Sequence, residues 1–402
     1  MVNPYKELFG APGTLAFSIA GLIARIPISM AGIGIITMLS QLRGSYWIAG
    51  AVAATFTFSM AILAPQISRL VDRFGQGRVL PYVTASSVIS MFILLLCTHF
   101  QAPDWTLFVF AALSGGIPSM PAMIRARWTE IYRGDPRLHT AFSFETVLDE
   151  LCFIIGPPVS VGLSVVVAPE AGPLVAAILL AIGITIFVLQ KQTEPPVYPY
   201  CVENKSIIFK MPSIQILILS LIALGTIVGT IDVISVAFAE QHGKTAAASI
   251  VLSVYAIGSC LSGLAFGAIK INIALPRMFM FTSLATMLTT IPLLLAHDVL
   301  TLAAMVFVSG LFFAPTMIVA MSLVENMVPS RNLTEGLTWM VTGLGIGIAC
   351  GASVTGWVID KMGIQSGFFV TLVAGIIIFL AAASGYRLMQ RNMIRLSTLD
   401  TP

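Results

Sequence analysis

The chain has 402 residues, of which 57% are apolar and only 10% charged, with a formal net charge of +3 and a mean hydropathy of +0.95. A water-soluble domain carries about 25% charged residues, so this composition excludes a soluble protein and requires most of the surface to face lipid. The apolar runs are long and continuous rather than alternating, which excludes a β-barrel and leaves helices whose backbone groups are satisfied internally.

Runs of the roughly 20 apolar residues needed to cross a bilayer predict twelve membrane helices. They cover 13–40, 46–70, 79–99, 105–124, 140–167, 173–190, 213–240, 245–268, 278–296, 300–324, 335–359 and 364–386. The stretch before the first carries little positive charge and no small-residue cleavage site, so the first helix is expected to be retained. The one long connection, Lys191 to Ser213, is polar and proline-rich. It divides the chain into an N-terminal six-helix bundle (1–190), a linker (191–212) and a C-terminal six-helix bundle (213–402). Cys97, Cys152, Cys201, Cys260 and Cys350 are scattered without a CxxC pair, so neither disulfides nor a metal cluster is expected.

Basic residues are retained on the cytoplasmic side. With the N-terminus inside, seventeen Lys and Arg fall on one side, Arg125 and Arg127 among them. Only Arg43, Lys244 and Lys361 fall on the other, and Arg25 lies within a helix. Both termini and the linker are therefore expected to be cytoplasmic. A shift of 194 residues also places Gly116 on Gly310, Pro121 on Pro315, Met123 on Met317, Ile124 on Ile318, Arg137 on Arg331, Thr140 on Thr334 and Gly162 on Gly356. Helices four and five thus match ten and eleven in order and orientation, a parallel repeat of the kind used by transporters that bind at the interface of their halves.

Between helices two and three the chain reads Ser68-Arg69-Leu70-Val71-Asp72-Arg73-Phe74-Gly75-Gln76-Gly77-Arg78. This resembles the loop pattern of the major facilitator superfamily, Gly-x-Leu-Ala-Asp-Arg-x-Gly-Arg-Lys, and the resemblance extends to all twelve helices and the long middle loop. It departs at Ser68, Gln76 and Gly77. The resemblance implies a conformational latch built on Asp72, Arg73, Gly75 and Arg78; on charge alone the segment is a positive-inside loop. The matching place in the second half, Gly263-Leu264-Ala265-Phe266-Gly267, has no acid, which makes the latch one-sided.

Helix five carries Glu145, Asp149 and Glu150 in its first half, followed by a bend expected at Gly156, Pro157 and Pro158. A charge in hydrocarbon is costly and persists where it pairs, faces a polar cavity or exchanges protons. Asp149 and Glu150 point about 100° apart, whereas Glu145 and Asp149 share a face. Arg25, half-way along helix one, cannot shed its charge and needs an anion at similar depth. The pair Arg25–Asp149 reads either as a fixed tie between helices one and five or as the proton- or substrate-handling centre. Asp232 is the acid deep in helix seven. Glu325 and Glu335 read as cytoplasmic ion pairs near Arg331, and Asp360–Lys361 as a solvated turn.

Gly156–Pro157 is similar to part of a motif of proton-driven exporters in the family, although Ser160–Val161 stands where a glycine pair is usual. The Arg that often precedes a glycine in helix four is missing, since Ala111 and Gly115 occupy that spacing, and Arg25 is its substitute. The resemblance implies a secondary transporter of the cytoplasmic membrane, monomeric in the bilayer, that exports a small organic molecule in exchange for protons by alternating access. The rival is a proton-coupled symporter importing a sugar or organic acid. An enzyme or receptor is disfavoured: no metal-spaced His pair, no Gly-x-Ser-x-Gly and no phosphate loop before a Lys occurs. Neither cofactor nor nucleic acid is expected.

Overall fold

The computed structural model describes residues 4–44, 46–197, 208, 211–241, 247–269 and 273–397, and every regular element among them is helical. A short α1 (Pro4–Leu8) precedes α2 (Thr14–Arg43), α3 (Tyr46–Phe74), α4 (Gln76–His99), α5 (Asp104–Ser114), α6 (Met120–Tyr132), α7 (Arg137–Val166) and α8 (Ala171–Leu189). After the linker come α9 (Pro212–Gln241), α10 (Ala247–Ala268), α11 (Leu275–Thr290), α12 (Val299–Gly310), α13 (Phe313–Met327), α14 (Leu333–Met362) and α15 (Ile364–Ser397).

Among the described residues, eleven segments are long and apolar enough to cross a membrane. The remaining passage, fourth in order, is cut in two. The helix expected over 105–124 is instead α5, an irregular stretch at Gly115–Ser119, and α6, which runs on to Tyr132. The tenth passage is cut at the corresponding place, between α12 and α13, so Gly116 and Gly310 mark the same break 194 residues apart. Close packing explains the position of the cut. A Cβ on Gly115 would come within 2.6 Å of the Phe56 carbonyl oxygen, and one on Gly310 would overlap the carbonyl of Tyr255.

The chain forms two compact units. One comprises Met1–Arg133 with Leu148–Tyr200, and the other Gly134–Val147 with Cys201–Pro402. Inside a membrane, helices gain no hydrophobic energy from one another, so small residues and hydroxyl hydrogen bonds hold them together. In the first unit Ser29 Oγ on α2 donates to the Cys152 carbonyl at 2.8 Å, and Ser160 Oγ on α7 donates to the Met30 carbonyl at 3.0 Å. Gly156 lies so close to Ser29 that a Cβ would overlap its hydroxyl. α7 continues as one helix through Pro157 and Pro158. In the second unit Gly225 and Gly229 of α9 pack against the backbone of Leu344 and Ile348 on α14, and Gly347 and Gly351 return the contact against Ile222 and Thr226. Thr355 Oγ1 donates to Thr230 Oγ1 at 2.9 Å along the same seam. The first turns of α7 belong to this unit: Thr140 Oγ1 donates to the Gly267 carbonyl at 2.6 Å, and His139 Nε2 lies 3.0 Å from that of Phe266.

Candidate functional site

The polar centre of the first unit is a carboxylate held by two guanidinium groups. Arg25 on α2 donates through Nη1 to Asp149 Oδ1 at 2.8 Å, and Arg125 on α6 donates through Nη2 to Asp149 Oδ2, also at 2.8 Å. The arginine side chains are 2% and 0% exposed and the carboxylate 21%, so the acid is the most exposed member of the three. Each guanidinium is also anchored to its own helix. Arg25 Nε donates to the Gly21 carbonyl at 3.4 Å, and Arg125 Nη1 donates to the Pro121 carbonyl at 3.3 Å.

The break in the fourth passage makes this possible. α6 restarts at Met120 with Pro121 in its first turn, where a missing N–H costs nothing. It then buries Arg125, Arg127 and Trp128 completely. Both arginines counted among the basic residues of the cytoplasmic side, just past the helix expected over 105–124; they lie on α6, which runs on to Tyr132, and are buried. A pair of arginines near a span end looks like a loop, because composition does not reveal partners contributed from elsewhere. The repeat held the missing signal. Under the 194-residue shift, Arg125 and Arg127 fall on Val319 and Met321, which the sequence reading itself put inside the tenth helix.

Arg127 organises one end of the unit. Its Nε donates to Gln76 Oε1, and its Nη1 to the Gln190 carbonyl and to Thr193 Oγ1, all at 2.8 Å. Its guanidinium lies 3.8 Å from the ring centre of Phe187, and Gln76 Nε2 donates to the Met123 carbonyl at 3.0 Å. One residue further along the chain, the Gly77 N–H donates to Glu194 Oε1 at 2.5 Å. Two of the three positions that depart from the family pattern, Gln76 and Gly77, are therefore the ones that receive Arg127 and Glu194. Gly75 between α3 and α4 has φ +91°, a conformation open to glycine but strained for other residues. Arg73 is exposed and stacks on Phe74 at 4.9 Å, Asp72 is half-buried, and Arg78 is exposed.

Of the other sequence candidates, Glu145 is fully buried and Glu150 half-buried, both on α7. Asp232 lies on α9 in the second unit, outside the arginine cluster. Glu335 is buried and accepts from Trp339 Nε1 at 3.4 Å. Among the described residues no group of His, Cys, Asp and Glu could hold a metal ion.

A family model described as Major Facilitator Superfamily matches residues 17–270 and 216–397. The chain belongs to the major facilitator superfamily. As a member of that superfamily it is a multi-pass membrane transporter. Solved structures agree on the fold at low identity. A bacterial homologue of the iron transporter ferroportin in its outward-facing state is 14% identical with a TM-score of 0.73, covering 93% of this chain and 99% of its own. The human organic anion transporter MFSD10 is 11% identical with a TM-score of 0.70, covering 92% and 98%. The E. coli fucose:proton symporter FucP is 13% identical with a TM-score of 0.68, also covering 92% and 98%. No curated protein matches the chain in sequence.

Proposed function

We propose that this major facilitator moves a small organic anion together with protons, and that Asp149, Arg25 and Arg125 form the coupling centre. The observation that carries this reading is one partly exposed carboxylate between two buried arginines. A guanidinium stays charged at any physiological pH, so when Asp149 takes up a proton both arginines lose the negative charge of that carboxylate. They then favour a second anion. Proton and anion binding reinforce each other at such a site, the linkage that cotransport requires. A cationic substrate would meet two fixed positive charges instead. Residues 1–190 and 213–402 act as the two bundles, joined by a cytoplasmic linker at 191–212, with both termini cytoplasmic in the inner membrane.

A second reading, proton-exchanging export of a small organic molecule, is favoured by Gly156 and Pro157 on the helix that carries Asp149. One experiment separates them. Proteoliposomes containing the purified chain are given an inside-alkaline or an inside-acid pH gradient and a panel of labelled organic acids, amines and neutral solutes. Accumulation of an anion under the inside-alkaline gradient supports cotransport, and accumulation only under the inside-acid gradient supports exchange. Gradient-driven uptake confined to cations overturns the anion assignment.

A further inference from the structure

A groove of about 530 Å³ lies between α9, α14 and α15, bounded by Leu219, Thr226, Val354, Met362, Ser366 and Ile377. It is lined almost wholly by apolar side chains, with Thr226, Cys350 and Ser366 the exceptions. All three helices are membrane spans. Val354, Phe369 and Val373 on the groove are about half exposed, at 48%, 57% and 55%. Along α15 the groove runs from Ser366 to Ile377, about 16 Å at the helical rise and roughly half of a 30 Å hydrocarbon core. Its length is that of one leaflet.

Its end is charged. The α14 wall consists of Cys350, Val354, Val358 and Met362 at successive i, i+4 positions. Lys361, two turns beyond Val354, shares that face and is exposed in the last turn of α14. An apolar slot one leaflet long with an ammonium group at its mouth matches an acyl chain whose headgroup carries a phosphate.

We propose that this groove seats one acyl chain of an anionic phospholipid, with the phosphate at Lys361. An acyl chain gains no hydrophobic energy by leaving its neighbours for a helix surface. An empty slot, however, forfeits the dispersion contacts of its walls, so the slot is filled and Lys361 sets which headgroup fills it. The charge-free lining argues against a charged solute as occupant.

Native mass spectrometry of the full chain, released from nanodiscs holding equal phosphatidylglycerol and phosphatidylcholine, tests this. The wild type is expected to carry one phospholipid, with phosphatidylglycerol preferred about fivefold, the increment of one lysine near a lipid headgroup. Lys361→Gln keeps the adduct and loses the preference. Val373→Trp fills the exposed side of the slot and loses the adduct while eluting as the wild type does. A wild type without a phospholipid adduct, an adduct of fatty acid alone, or a headgroup preference unchanged in Lys361→Gln overturns the proposal.

Discussion

Arg125 Nη2 and Asp149 Oδ2 are 2.8 Å apart, although Arg125 lies one residue past the helix that composition predicts over 105–124. The same carboxylate holds Arg25, so one acid bonds two cations. Asp149→Asn keeps the shape and cannot ionise. It is expected to abolish pH-gradient-driven accumulation while sparing exchange of substrate at equilibrium. Counterflow against gradient-driven uptake in proteoliposomes separates the two, and wild-type accumulation would move the coupling role to Asp232.

Removing the acid altogether has a different expected cost. Breaking a buried ion pair by deleting one partner costs about 3–5 kcal/mol, because the remaining charge is stranded. Asp149→Ala should therefore lower the amount of folded protein in the membrane. Adding Arg25→Leu restores it only partly, since Arg125 still lacks the Asp149 carboxylate, and the triple change with Arg125→Leu restores it further. Fluorescence-detected size exclusion of the four proteins gives the order directly.

Glu194 holds the Gly77 N–H at the start of α4, beside the Asp72–Arg73 turn. Glu194→Ala is expected to slow transport severalfold with substrate affinity nearly unchanged, as for a group that biases conformational populations by a kcal/mol or so without touching substrate. Equal losses in binding and turnover would assign Glu194 to the folding of the unit instead.

Gly75→Ala isolates the backbone term at the same turn. Its extended, positive-φ backbone, φ 91° and ψ 153°, costs a non-glycine residue about 1–3 kcal/mol, and the added methyl would also sit 3.2 Å from Glu194 Oε1. The thermal midpoint of the purified variant should fall by several degrees.

Gly347 of α14 lies against the Ile222 carbonyl on α9 without room for a Cβ. Gly347→Leu is expected to part these helices and abolish folded protein. Gly345→Leu, where a Cβ meets nothing within 4 Å, should be tolerated. Expression and monodispersity of the pair check the seam.

Glu203, outside the described residues, is expected to be cytoplasmic because basic residues crowd its side of the membrane. A Glu203→Cys protein lacking Cys201 should resist an impermeant thiol reagent in intact cells.

The amino-acid sequence by itself determined that this chain lives in a membrane, how many times it crosses, and which acids in helix five and which arginine in helix one demand explanation. Each follows from a property carried along the chain: the length of an apolar run, or the cost of a charge within it. The tertiary structure decided the rest. Arg25 and Asp149 are 124 residues apart, and composition cannot say which anion a buried guanidinium meets. Arg125 and Arg127 read as charges of the cytoplasmic side because partners contributed by α4, α7 and the end of α8 offset their burial. Gln76 and Gly77 read as departures from a family pattern until packing placed Arg127 and Glu194 upon them. Partner choice depends on which surfaces pack together, and that is settled by the fit of glycines, serines and broken helices in three dimensions.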